Sequence, residues 1–427
     1  MMPTISPVNP LIDQELFGML EHRYKLTFMY TPNLNEFEAF SLSRLLTTCF
    51  GKTDEELTAC ILIDLPDIGL MKDFAFMNHD GFQVQQYAKK YFYDSLNDGG
   101  LAEVGYSSVD FFAFKTTGGS NLDPEDDASD ENGKHLSLEK DICSKYDIIL
   151  AITDYSLTAP LTAMAKKYNF RGATLHGVND TILGSGLSVD YRKISEQAEV
   201  FRSALDKADA FELNFEVLGE TLSLTIDCDQ QTAQKSHGLC PFGKPDVANL
   251  PAGEVYFVPT SANGSFPFRY SDGTLAVMVV SDGAIQKAIL IEGDASLVSE
   301  RNQQLLDDPA TGIIGELGFG TQLLPFSGKD IQDEKILGTC HVATGRSDHL
   351  GGNLTPDLFN SRLNASHDDI LFAPPKTPEI TVTSVVMLKN GHRVELFRNY
   401  TPTSFLLSQI DTVYPVEKFA APAGQPT

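Results

Sequence analysis

Residues 145–178 read KYDIILAITDYSLTAPLTAMAKKYNFRGATLHGV. The apolar run IILAI, the helix-forming segment APLTAMAKKYNF and the second apolar run RGATLHGV predict a strand, a helix and a strand, the unit of a parallel sheet. The same alternation is present upstream. EELTACILIDLPD (55–67) reads as a helix end or turn feeding a buried strand, GFQVQQYAKKYFYDSL (81–96) carries apolar residues three and four apart as an amphipathic helix does, and VDFFAFKTT (109–117) is a further strand. EFEAFSLSRLLTTCF (36–50) has a helical pattern, and DYRKISEQAEVFRSALDKADAF (190–211) is an amphipathic helix. Residues 1–210 are therefore expected to form an α/β scaffold domain, an open and largely parallel sheet with helices. No GxGxxG or GxxxxGK[ST] follows any of its strands, so neither a dinucleotide site nor a P-loop is expected.

Between Gly118 and Gly133 the run GGSNLDPEDDASDENG is polar and acidic, and its composition predicts a mobile loop. Its aspartates do not follow the calcium-loop pattern of glycine at the sixth position and glutamate at the twelfth. Near Phe211 the pattern changes. FELNFEVLGETLSLTIDC, GEVYFVPTS, GTLAVMVVSDGAIQKAILIEG and EITVTSVVMLKNGHRVELF alternate apolar and polar residues, the last with an Asn390-Gly391 hairpin signal. SLVSERNQQLLDD is the best helix candidate here, and the terminal AAPAGQPT is expected to be disordered. Residues 211–427 are thus expected to form a β-rich α+β domain.

A chain of 427 residues with 42% hydrophobic content suits two globular domains. The 58 acidic residues outnumber 32 basic ones, for a formal net charge of −26. That field repels nucleic-acid phosphates and anionic membrane surfaces, so no nucleic-acid or membrane partner is expected, and it favours cations and carboxylate-held metals. No secretory signal or stretch of about 20 apolar residues is seen, so a cytoplasmic location is expected. Six cysteines lie far apart with no CxxC pair, which predicts reduced thiols.

The chemistry concentrates in residues 333–369, from DEKILGTCHVATG to LNASHDDI. His341 lies in an apolar strand-like run, where a charged imidazolium is costly and a neutral ligating nitrogen is not. His367 and Asp369 are two apart and share a face if the segment is extended. Glu254 in PAGEV and Glu316 in GIIGELGFG lie upstream in what read as glycine-flanked turns. Singly, a histidine in an apolar strand is more often a hydrogen-bonded core residue, a glutamate after glycine a helix start, and an aspartate a turn cap. Together, two histidines and three carboxylates are the donor set of a divalent metal site.

In order, PAGEV, GELGFG, DEK followed by CHVATG, and SHDD, with LGETLSL before and NGSFPF among them, resemble the aminopeptidase S and aminopeptidase T family of metallopeptidases over most of residues 180–375. The resemblance implies a homodimeric enzyme with two divalent ions, zinc or cobalt, removing the N-terminal residue of a peptide or amino-acid amide. It implies metal ligands at Glu254, Glu316, His341, His367 and Asp369, with Glu334 a less direct match, and a proton shuttle at Glu334 or Glu316. Where the family usually carries a tyrosine seven residues after the ligand histidine, this chain has Asp348. An aspartate cannot donate to an oxyanion unless protonated, whereas the adjacent His349 can. The 2,5-dihydroxypyridine 5,6-dioxygenases resemble that family but use one iron, and His341, His367 and Asp369 are the residue types of a 2-His-1-carboxylate triad, which gives the alternative of a ring-cleaving dioxygenase. A non-catalytic descendant that binds a peptide or partner protein is the third expectation.

Overall fold

The structure is a computed structural model and describes residues 31–52 and 55–414. The chain's extreme N-terminus and the AAPAGQPT tail, both read from sequence, lie outside the described residues. Strands without polar alternation need cover on both faces. Leu57–Leu65 is such a strand, buried along most of its length at the centre of a seven-stranded sheet. Tyr106–Lys115 pairs with it in parallel on one side, and Ile148–Thr153, Arg171–His176 and Asp246–Asn249 follow in parallel on the other. Ala59, Ile61 and Ile63 point into one core with the Leu42–Phe50 helix, while Cys60 and Leu62 point into a second with the Thr158–Tyr168 helix.

The rest of the chain builds an eight-stranded antiparallel sheet and a five-stranded one. The five-stranded sheet runs, in spatial order, His367–Phe372, Cys340–Gly345, Ile314–Gly320, Glu254–Phe257 and Gln234–Ser236. The two sheets share one core. Phe211 meets Phe257 and Phe319 at 5.0 and 5.2 Å between ring centroids, and Phe215 meets Phe372 at 4.8 Å. Each such fully buried ring contributes roughly 1.5–3 kcal/mol from burial. The Tyr191–Leu205 helix belongs to both parts, with Tyr191 and Ile194 in the parallel sheet's core and Phe201 and Leu205 in that of the antiparallel sheets. Among the described residues no helix is long and apolar enough to cross a membrane.

Four features differ from the sequence expectations. The amphipathic helix starting near Gln83 widens into π-helical turns over Ala88–Asp94. The acidic run is held, not loose. Ala128–Asp130 pairs antiparallel with Tyr106–Lys115, Asp126 accepts from Ser137 and from the Glu139 backbone, and Asp123 meets Arg346 at 2.9 Å. Fixed partners for its carboxylates and burial of Leu122 and Ala128 offset the ordering entropy that composition alone suggests. Asp246–Asn249, well past residue 210, returns to the parallel sheet. Finally, Glu254 and Glu316 sit in strands and not in turns.

Candidate metal centre

The glycines that made GELGFG look like a turn instead make room in a strand. Gly318 is paired with His341 across the antiparallel ladder, and a Cβ on Gly318 would lie 2.0 Å from His341 Cε1. The imidazole lies flat over the bare backbone, which aims Nε2 at Glu316 on the same strand as the glycine. Gly315 and Gly320 likewise lie against neighbouring backbone, 2.8 Å from Gly345 O and 2.2 Å from Ile336 O for an added Cβ.

Four strands then bring the donors together. His341 Nε2 lies 3.5 Å from Glu316 Oε1 and 3.9 Å from both Glu254 Oε2 and Asp369 Oδ1. His367 Nε2 lies 2.9 Å from Glu316 Oε2 and 3.3 Å from Asp369 Oδ1. Two sets have all donor atoms within 4.8 Å of one another and can hold a metal ion: Glu254, Glu316 and His341, and Glu316, His367 and Asp369. Carboxylate and imidazole donors fit zinc, cobalt or iron alike. The His367 ring is oriented by its other nitrogen, Nδ1, 2.6 Å from the Arg346 carbonyl, the kind of outer contact that fixes a ligating histidine.

Electrostatics bind the donors into one unit. Burial raises the Glu316 carboxyl, but the His341 and His367 rings beside it more than reverse this and hold it down at about 2. Burial disfavours the His341 imidazolium, yet Glu316, Asp369 and Glu334 lift it to about 10, and His367 is raised likewise by Asp369 and Glu316. The carboxylates around His341 thus outweigh its apolar strand and favour the protonated ring.

Of the other predicted residues, Glu334 joins the site and Asp348 does not line its cavity. Glu334 is buried, and burial with Asp369 and Glu254 nearby pushes its carboxyl up to about 8 against the pull of Lys335. Asp348 turns to Arg346, whose Nε lies 2.7 Å from its Oδ1. His349 faces the cavity, its ring edge-on to His367 at 4.9 Å, and burial with the charge of His367 lowers it to about 3.

Sequence reasoning missed two residues. Lys335, within the quoted DEK, is fully buried with its ammonium 2.6 Å from both Glu254 Oε1 and Glu334 Oε1. An apolar neighbourhood with a lysine beside a candidate ligand was the available signal. Arg346 is the second. It donates to the Asn121 carbonyl, Asp123 and Asp348 while its own carbonyl accepts from His367.

The donors line a cavity of about 210 Å³ whose opposite wall is the carboxyl edge of the parallel sheet, with Ser156, Thr158, His176 and Asn249. In open α/β sheets ligands occupy the crevice outside the carboxyl ends of the strands. No family model matches the chain, and no curated protein matches it.

Proposed function

We propose that the protein is a metal-dependent aminopeptidase-like hydrolase that removes an N-terminal residue from a peptide or a related amino-acid amide. The observation that carries this reading is the placement of Glu316, which presents one carboxylate oxygen to His341 and the other to His367. Two three-donor sets sharing one bridging carboxylate suit a pair of neighbouring divalent ions, zinc or cobalt. Ions bound there supply Lewis acidity toward a carbonyl and a water that ionises near neutral pH.

The chain's own groups have distinct tasks. Glu254 is held through Oε1 by Lys335, so its Oε2 is the oxygen left for the His341 side. Glu334, with a carboxyl that exchanges its proton near neutral pH, is the proton shuttle between the attacking water and the leaving amine. Neutral His349 is the donor available to a developing oxyanion, and Asp348, paired with Arg346, has no part in the chemistry. In this reading the parallel-sheet part, which includes Asp246–Asn249, is the α/β scaffold, the antiparallel part is catalytic, and the enzyme is a cytoplasmic homodimer.

Elemental analysis of metal-loaded protein should give two ions per chain, with hydrolysis of aminoacyl amides that Glu334→Gln suppresses. A fully loaded but inactive protein removes the proposal. One observation favours a second reading. Lys335 already places a fixed positive charge on Glu254, which leaves His341, His367 and Asp369 as two imidazoles and a carboxylate for a single iron in a ring-cleaving dioxygenase. One iron per chain, with oxygen uptake on a dihydroxylated ring, selects it.

A further inference from the structure

The wall facing the metal ligands is a hydrogen-bonded chain of uncharged groups. Asn249 Oδ1 accepts from Thr174 Oγ1 at 3.3 Å, Thr174 Oγ1 accepts from Thr158 Oγ1 at 2.7 Å, the Thr158 backbone N–H donates to Ser156 Oγ at 3.4 Å, and Ser156 donates to Asn121 Oδ1 at 3.3 Å. Asn121 Oδ1 also accepts from the Ala159 backbone at 2.8 Å, and Asn121, Thr174 and Ser156 are all buried. These residues lie in or just beyond four strands of the parallel sheet, so the sheet fixes their spacing.

Both asparagines spend their oxygens inside the chain. Their amide nitrogens make no hydrogen bond among the described residues, although both residues line the cavity. Four ring nitrogens of residues lining the same space are buried without a partner: Nδ1 of His176, His237, His341 and His349. Buried polar atoms left unpaired cost about 1–3 kcal/mol each, which a ligand group able to pair with them recovers. Of the charged lining residues on this side, Lys235 lies 3.0 Å from Glu199 and Asp246 accepts from the Val247 backbone N–H, and neither belongs to the hydrogen-bonded chain. Apolar lining residues such as Leu239 and Leu350 offer contact but no orientation.

We infer that this wall is a specificity subsite for an uncharged, oxygen-bearing substrate side chain, a carboxamide or hydroxyl, held against the asparagine amides while the reacting amide lies over the metal donors. The inference rests on the proposed hydrolase reading and adds the substrate class to it. A site built to hydrogen-bond a substrate group discriminates strongly against an analogue that lacks it, whereas an apolar pocket discriminates weakly. Charged side chains are disfavoured, because none of the five side chains of this wall carries an opposite charge.

The test uses full-length protein loaded with zinc or cobalt and a panel of asparaginyl, threonyl, leucyl, lysyl and aspartyl 4-nitroanilides. The expected result is kcat/KM for the asparaginyl and threonyl substrates at least about tenfold above that for leucyl, and further above those for the two charged ones. Thr158→Val keeps the shape but breaks the chain, and should narrow the asparaginyl-to-leucyl ratio by roughly tenfold, the value of about one hydrogen bond. A leucyl preference, or a ratio that Thr158→Val leaves unchanged, overturns the subsite. If none of the substrates turns over, the hydrolase reading has failed, and calorimetric binding of asparagine amide against leucine amide decides the subsite by itself. Equal affinities, or tighter leucine amide, then overturn it.

Discussion

The two walls of the cavity are built on opposite plans. On the antiparallel side every functional group is ionisable, and each stands within 4 Å of an opposite charge: Glu254, Glu316, His341, His367, Asp369 and the Lys335–Glu334 pair. On the parallel side, Asn121, Ser156, Thr158, Thr174 and Asn249 form a neutral chain. The difference teaches where each kind of perturbation is felt. Removing one member of the charged wall leaves another buried charge uncompensated, whereas removing one member of the neutral wall costs about a single hydrogen bond.

The largest effect should come from Glu316→Ala, because this carboxylate belongs to both donor sets. Metal content should fall below one ion per chain and turnover by about a thousandfold or more, while Glu254→Ala should retain one ion; elemental analysis of the two variants in parallel reads the contrast. If both variants lose the same amount of metal, Glu316 is not the shared member. Next is Lys335→Met, which leaves Glu254 and Glu334 buried without their cation. Breaking a buried pair in this way costs about 3–5 kcal/mol, to be measured by denaturant unfolding of metal-free protein. Gly318→Ala drives a methyl into the His341 ring and should cost about 1–3 kcal/mol, together with weakened metal binding, while the same substitution at exposed Gly219, whose added Cβ meets nothing within 4 Å, tests only its left-handed backbone.

The two walls should also separate by pH. Metal must displace the protons that the carboxylates hold on His341, raised to about 10, and on His367, so metal affinity should rise with pH through the neutral range, by up to about tenfold per unit for each proton displaced. The sign follows from competition: a group that holds its proton more tightly in the metal-free fold binds metal less well at low pH. The neutral wall carries no such proton, so the ratio between asparaginyl and leucyl substrates should stay flat over the same range. Calorimetry in two buffers of different ionisation enthalpy counts the protons released. The smallest effect is assigned to Asp348→Asn. Its partly exposed pair with Arg346 is worth up to about 1 kcal/mol, and turnover should be unchanged, in contrast with His349→Ala.

Much of this architecture was legible because its signals are local. The strand and helix order of residues 145–178 follows from apolar runs of strand length around one helix, and the Asn390-Gly391 hairpin from two residues with positive φ, 52° and 76°. The five residues that could hold a metal were picked out by residue type and order, and the structure places them in two overlapping sets that share Glu316. What sequence concealed depends on contacts between distant segments. Gly318 looks like turn punctuation until His341 is placed over it. Asp123 looks solvated until Arg346, far along the chain, reaches it. Lys335 has a local hint of burial in its apolar neighbourhood and in adjacent Glu334, but nothing local pairs it with Glu254, from a distant segment. The neutral wall was invisible for the same reason, as five common polar residues acquire meaning only when parallel strands align them.

The tie between the acidic segment and His367 has a practical consequence for anyone modifying the chain. The Ser120 carbonyl accepts from the His367 backbone N–H at 3.3 Å, and Arg346 clamps Asn121 and Asp123 to the carbonyl that orients the His367 ring. A stretch that resembles dispensable linker, the usual choice for inserting a tag, a reporter or a protease site, is here the back brace of His367. An insertion at residues 120–123 should therefore disturb the centre directly, whereas the exposed Leu218-Gly219 hairpin tip, between the paired strands Ala210–Val217 and Glu220–Asp227, is the safer place to open the chain.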